Sequence, residues 1–231
     1  MALIKWDEAG KRFYETGVKH GVLYIFDPTA NSNAGGYTNG VAWNGLTGVT
    51  VSPEGADATD LYADDIKYLT MRSAENVKAT IEAYTYPDEW AVCDGSAIAA
   101  TGVTIGQQPR SVFGFVWTTV LGNDTEMEKY GEKIHILWGC TASPSEKAYQ
   151  TINDSPEAIT FSWEVSSTPV PAGGNYKPTA YMEIDCKKAN ATDLATLKGQ
   201  LFGTDASGGS AGTDPYLPMP DAIIATMSTT T

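Results

Sequence analysis

The chain has 231 residues, 28 acidic against 15 basic, and a formal net charge of −13. That length buries a substantial core and is within what all-β proteins reach as one domain. The acidity excludes binding nucleic acid by neutralising phosphates, which draws on clustered Lys and Arg; no basic residue lies between Lys19 and Lys67 or after Lys198. Met1 to Glu8 lacks the apolar run of a secretory signal, and no run approaches membrane-spanning length, so a cytoplasmically made chain without membrane contact is expected. Cys93, Cys140 and Cys186 are far apart, odd in number and without metal-like spacing, and are expected as small buried hydrophobes.

Met1 to Gly21 mixes Trp6, Phe13 and Tyr14 with charges and reads as an arm ordered by packing on something else. Val22 to Phe26 is predicted as a short strand and Pro28 to Gly40 as a loop or hairpin tip. Gly40 to Val51 sets Val41, Trp43, Val49 and Val51 among small or polar residues, predicting a half-buried strand kinked at its glycines. Ser52 to Asp65 then carries Glu54, Asp57, Asp60, Asp64 and Asp65 around the pair Leu61-Tyr62, with no Lys or Arg. Sent out and back as a hairpin, the eleven residues Glu54 to Asp64 reach roughly 17 Å from their sheet. Ile66 to Met71 and Val77 to Tyr86 are predicted to return as strands, the second with Val77, Ala79, Ile81 and Ala83 on one face. A long arm on a firm sheet suits holding a neighbour.

Pro87 to Gly95 has Pro at its start, acids in its first turn and Gly after its end, predicting one or two turns of helix. Ala97 to Pro109 reads as a connection. Ser111 to Leu121 is the most strand-like run, with Phe113, Phe115 and Trp117 on one face, and Glu132 to Cys140 is its expected antiparallel partner beyond a turn at Gly122-Asn123-Asp124. Tyr149 to Ile152 is a further short strand candidate. Ile159 to Val165 alternates cleanly, and Thr179 to Asp185 returns after a turn around Gly173-Gly174. Thr192 to Phe202 is the one convincing helix, with Thr192 as N-cap, Leu194, Leu197 and Leu201 on one face and Gly203 as stop. Asp205 to Asp214 is a Gly/Ser-rich loop, and Asp221 to Met227 forms one last turn. The expected fold is mainly β, two packed antiparallel sheets with one flanking α-helix and extended arms.

The residue types of catalysis are sparse. Of two histidines, His135 sits inside an alternating strand, where a satisfied structural role is expected over a general base. There is no Gly-x-Ser-x-Gly, phosphate-cradling loop or His-Glu-x-x-His. Asp64-Asp65, or Glu82 near Asp88-Glu89, offers carboxylate pairs for glycoside hydrolysis, but any acidic chain does. Asp57, Asp60 and Asp64 miss the spacing of a calcium loop. Trp43, Trp117 and Trp163 lie on core faces of strands, so packing explains them before sugar stacking. No enzyme activity, metal or cofactor is expected.

Several strings go beyond composition. Gly40-Val-Ala-Trp-Asn-Gly-Leu-Thr47, Ser52-Pro-Glu-Gly-Ala56 leading to Tyr62-Ala-Asp-Asp-Ile-Lys-Tyr-Leu69, and Ile81-Glu-Ala-Tyr-Thr-Tyr-Pro-Asp-Glu89 are followed by Gly102-Val-Thr-Ile-Gly-Gln-Gln108 and Gly122-Asn-Asp124. Ser143-Pro-Ser-Glu-Lys-Ala-Tyr149 then runs into Asn153-Asp-Ser-Pro-Glu-Ala-Ile-Thr-Phe-Ser-Trp-Glu-Val165. This ordered series, from about Trp6 to Phe202, resembles the major tail (tail tube) proteins of long-tailed, non-contractile bacteriophages, particularly those of Gram-positive hosts.

The resemblance implies a single tail-tube domain of β-sandwich or barrel type over 1–231, with an N-terminal arm (1–21), an acidic loop arm (52–65) and a C-terminal extension (203–231). It implies a structural virion protein, assembled in the host cytoplasm, that forms homo-hexameric rings stacked into a tail tube for genome delivery. Its partners would be the tape-measure protein and later non-adhering double-stranded DNA in the lumen, the tail terminator and the tail-tip proteins. The arm residues Glu54, Asp57, Asp60, Leu61, Tyr62 and Asp64 would bridge to the next ring, with Leu61 and Tyr62 as apolar anchor; the terminal segments are second candidates for that contact. The alternatives are a monomeric carbohydrate-binding β-sandwich, which predicts an exposed aromatic platform, and a glycosidase-type enzyme.

Overall fold

The computed structural model describes residues 3–30, 35–55, 57–73, 75–149, 151, 158–206 and 211–228. In chain order the strands are β1 (Phe13–Asp27), β2 (Gly36–Trp43), β3 (Leu46–Gly55), β4 (Ala58–Ala63), β5 (Ile66–Arg72), β6 (Glu75–Ala83), β7 (Ala97–Ala100), β8 (Val103–Ile105), β9 (Phe113–Asn123), β10 (Met127–Ala142), β11 (Phe161–Ser167) and β12 (Tyr181–Asp185). The α-helices given a range among the described residues are α1 (Ala91–Asp94), α2 (Ala191–Phe202) and α3 (Pro220–Met227). The main antiparallel sheet runs β2-β1-β9-β10-β11-β6-β3, with β12 also on β10. The long β10 serves two partners on one side, β12 along Lys133 to Leu137 and β11 along Cys140 to Ala142.

Connectivity forces the sheet to roll. Trp43 ends β2 at one edge and Leu46 begins β3 at the other, with only Asn44 and Gly45 between. Three residue steps span at most about 11 Å, so the edges must come together. Gly45 makes the turn at φ +77°, and Leu46 fills the space beside Gly21 of β1. The edges abut without a ladder, which leaves an opened barrel rather than a closed one.

The roll creates two cores. Period-two alternation sends Phe113, Phe115 and Trp117 of β9 into the roll, where they meet Leu23, Trp43, Ile81, Trp163 and Val165. Trp43 stands at the centre, with ring centroids 4.7 Å from Trp90, 5.4 Å from Trp163 and 5.5 Å from Phe115. Its indole N–H donates to the Thr85 carbonyl at 2.8 Å, so this large buried ring carries no unmet donor. A 3-10 turn at Asp88–Trp90 and α1 supply Trp90 and Cys93 as the plug of this core, and Gly95 ends the helix in the left-handed region. On the other face Val22, Tyr24, Val116, Ile134, Ile136 and Trp138 pack under Leu197 and Leu201 of α2 and Ile223 of α3. With both faces covered, β9 is buried almost throughout.

Several elements differ from the sequence expectation. The predicted kinked strand at Gly40 to Val51 is two strands at opposite edges of the sheet. Phe13 to Gly21 belongs to β1, paired with β9 from Phe13↔Asn123; its side chains are mostly exposed, so no apolar alternation announced it. Ala97 to Ile105 is a small hairpin, and Tyr149 and Thr151 are not in a strand. The cap of α2 is Asn190, whose Oδ1 accepts from Thr192 N at 2.9 Å and Asp193 N at 3.3 Å, two positions before the expected Thr192. The last turn expected at Asp221 to Met227 is a true helix begun by Pro220, a second flanking helix beside the one expected. Leu217 donates to the Tyr37 carbonyl and Gly40 to that of Pro215, so residues 215–217 cover the outer edge of β2.

Candidate assembly arm

β3 and β6 pair outward to Glu54↔Asn76 and Gly55↔Glu75. Beyond that point β4 and β5 form a separate two-stranded ladder, from Ala58↔Arg72 to Ala63↔Ile66, in which every described side chain is exposed. Asp64 and Asp65 close it with φ of 51° and 61°, the two successive positive values of a type I′ turn. Asp accepts this region better than most residues because its short side chain bonds locally. Six steps from Ala58 to Asp64 give the described ladder a length of about 20 Å. The arm is therefore longer than the roughly 17 Å expected, because Ile66 to Met71 is its return limb and not a strand of the main sheet.

The register sorts the arm into two faces. Leu61 lies opposite Leu69, Thr59 opposite Met71 and Ala63 opposite Ile66, and together they form an apolar face. Tyr62, next along β4, points to the other face and lies opposite Lys67, the register shift there leaving one extra residue on β5. There Asp60 accepts from Lys67 Nζ at 2.8 Å and from the Thr70 hydroxyl at 2.6 Å, and these two donors hold its carboxyl below the usual range. At the base, Glu54 meets Lys78 at 2.5 Å and raises the lysine's pKa. Asp57 lies exposed between β3 and β4, and Asp64 is at the tip.

Of the six residues named from sequence, Glu54 braces the base, Asp60 fixes the polar face, and Asp57 and Asp64 face solvent. Leu61 and Tyr62 point to opposite faces of the hairpin, so they do not share one apolar face. Leu61 instead belongs with Ile66, Leu69 and Met71, which were missed because a strand assigned to the sheet is assumed to be covered there. Ile66 is 63 % exposed and Met71 58 %. A two-stranded hairpin cannot bury such a face on itself.

The other candidate residues lie away from the arm. His135 is buried, stacked on Trp117, with Nε2 facing Thr119 Oγ1 (2.8 Å) and Glu15 (3.1 Å) and Nδ1 facing the Tyr181 hydroxyl (2.8 Å). Because the Thr119 hydroxyl donates to Glu15, Nε2 carries the proton and Nδ1 accepts from Tyr181. Burial keeps the imidazole pKa low against the pull of Glu15 and Glu183. Lys133 bridges the same two carboxylates at 2.9 and 2.7 Å. Both ring nitrogens are thus engaged in a structural network. Asp64-Asp65, Glu82 and Asp88-Glu89 are exposed, and among the described residues no three His, Cys, Asp or Glu converge as a metal site requires. Trp43, Trp90, Trp117, Trp138 and Trp163 are buried, while Trp6 lies exposed near the N-terminus. Cys93 and Cys140 are buried and Cys186 partly so; burial pushes the Cys93 thiol up to about 12. No described helix is long and apolar enough to cross a membrane.

No family model matches the chain, and no curated relative does. Among solved structures it is similar to the sheath/tube terminator of an extracellular contractile injection system, PVC, in the extended state, at 10 % identity over 79 % of this chain and 99 % of that one, with a TM-score of 0.34. A chain of the anti-feeding prophage baseplate aligns at 9 % identity over 78 % and 97 %, with a TM-score of 0.35. A chain of the PVC sheath–tube complex aligns at 11 % over 79 % and 94 %, with a TM-score of 0.30.

Proposed function

We propose that this chain is the subunit of a phage-type, non-contractile tail tube. Six copies form a ring, rings stack, and the β4–β5 arm of each copy bridges to the next ring. The observation that carries this reading is the arm itself, a braced hairpin whose described ladder is about 20 Å long and whose apolar face no other described residue covers. An exposed apolar face of that kind marks a surface that a partner covers. The ordered strings from Trp6 to Phe202 that resemble tail-tube proteins point the same way. In this reading the tube belongs to the virion tail, its lumen holds the tape-measure protein and later the genome, and its ends meet terminator and tail-tip proteins. Excess carboxylate on the lumen wall would repel phosphate and let DNA slide. The role is structural and needs no catalytic group. A sugar platform is disfavoured because five of the six tryptophans are core residues.

The β3–β6 register supplies a clean test. Because Gly55 faces Glu75, residues 56–74 can be replaced by Asn-Gly, which closes the ladder as a two-residue hairpin. Negative-stain electron microscopy of the wild type, with and without tail-tip initiator, should give hollow rings or tubes; the shortened protein should stay folded and give no long tubes. Normal tubes from the shortened protein, or a wild type that remains monomeric with initiator present, would overturn the proposal.

A further inference from the structure

An arm of this kind needs a receiving surface on a neighbouring copy, a requirement that rests on the tail-tube reading. Between α1, the strap 106–110 and Pro144 to Lys147 lies a cleft of about 580 Å³, lined by Asp94, Gly95, Gln107, Arg110, Ser145 and Lys147 among others. Its charges do not balance. Asp94 is taken by Lys147, whose Nζ lies 2.6 Å from Oδ2. Arg110 is left with the Asp94 backbone carbonyl at 3.2 Å, its Nε without an acceptor, and no carboxylate in ion-pair range among the described residues. A half-buried guanidinium without a carboxylate partner among the described residues stands out in a chain of net charge −13.

The position is built. Gly95 has φ +77°, and a Cβ there would come within 2.9 Å of Arg110 Cζ, so the glycine is what lets the guanidinium come close against the end of α1. The strap is tied to that helix by Gln108 N to Gly95 O and Ser111 N to Val92 O, both 2.9 Å. A planar guanidinium held this way binds carboxylate in a defined direction. Beside the cleft the β7–β8 hairpin exposes Ile98, Val103 and Ile105, and no charged residue lies between Asp94 and Arg110.

The arm presents the same two chemistries in the same order. Its tip carries Asp64 and Asp65, neither in an ion pair among the described residues, and its apolar face begins immediately behind them at Ile66 and Leu61. We propose that the arm of one copy docks on this surface of a neighbouring copy, its tip carboxylates on Arg110 and its apolar face against the β7–β8 hairpin.

Charge exchange tests this. Asp64→Asn with Asp65→Asn keeps the turn, because Asn also takes positive φ, and removes the charge. That variant, R110E and R110Q should each raise the concentration needed for tube formation by about tenfold or more, with thermal melts confirming that each is folded. The exchange D65R with R110E should recover most of the loss. R110Q covers the case in which R110E fails to fold. If the wild type forms tubes and the 56–74 replacement does not, yet the Asn variant and R110Q assemble normally, the assembly reading stands and this docking is overturned. Loss in R110E without recovery in the exchange, when the D65R change alone lowers assembly no more than D65N does and so shows that the turn survives, overturns the pairing as well, since Arg110 then serves another partner. A wild type that forms neither rings nor tubes overturns both readings.

Discussion

Replacing Leu61 and Leu69 with serine separates the arm's apolar face from its charged tip. The two residues face each other across the hairpin and are 42 % and 40 % exposed. The part of each already covered lies within the hairpin, so in the free subunit the cost is local to the arm and the melting of the main sheet should be little changed. Docking would bury what is still exposed. A fully buried leucine gains about 2 kcal/mol, so completing the last two-fifths of each gives about 0.8 kcal/mol, or about 1.6 kcal/mol for the pair. At 1.4 kcal/mol per factor of ten, the concentration at which tubes form should rise about 15-fold. Sedimentation of assembled material over a concentration series measures this, with the melting temperature as control. Thr70→Ala on the polar face should shift the threshold far less. A serine pair that assembles at the wild-type concentration, in a protein that needs its arm, would refute the assignment of the apolar face to the contact.

The network around His135 makes stability pH-dependent. Burial lowers the His135 pKa, so folding favours the neutral ring; that contribution is complete above the unfolded value near 6.5 and is lost as pH falls through the lower folded value. Partial burial works to raise the Glu15 carboxyl, but hydrogen bonds from Thr119 and Lys133 outweigh it, and its contribution is lost at lower pH, below about 4.5. Melting temperatures from pH 8 to 5 should fall in the wild type and flatten in His135→Gln; equal slopes would exclude the histidine. Asn190→Ala should cost about 1 kcal/mol in urea unfolding, and Thr192→Ala much less, because only Asn190 accepts from the first turn of α2; the reverse ranking would restore Thr192 as the cap. In the folded protein, alkylation at pH 8 should reach Cys186 well before the buried Cys93 and Cys140, and equal labelling rates would contradict their burial.

Period-two alternation made β6, β9, β10 and β11 legible, because each sends one clear apolar set into a core: Ala79, Ile81 and Ala83, or Phe113, Phe115 and Trp117. What failed is not local. Nothing between Gly40 and Val51 says that Trp43 and Leu46 lie on opposite edges of a sheet, since that depends on strands supplied far downstream. The first half of β1 carries exposed side chains and is held by its ladder to β9, which composition does not reveal. Ile66 to Met71 was recognised as a strand but not as the return limb of the arm, because pairing partners are set by register. The arm's acids were visible as a run. Asp94, Arg110 and Lys147 were not visible as a group, being brought together only by α1, the strap and the chain after β10.

The pairing of β6 with β11 also governs when this chain can finish folding. Ile81 faces Trp163, so the first eighty-odd residues, arm included, leave one side of β6 open until residues 161–167 have been synthesised and inserted. Contacts that span so much sequence are slow to form, and open strand sides pair with other chains in the interval. The β3–β6 hairpin and its arm can form early from neighbouring segments, but the roll that sets the arm's direction is completed only once β11 has been made. A chain lacking its last third would thus carry the arm without the sheet that aims it, and would be open to association out of register.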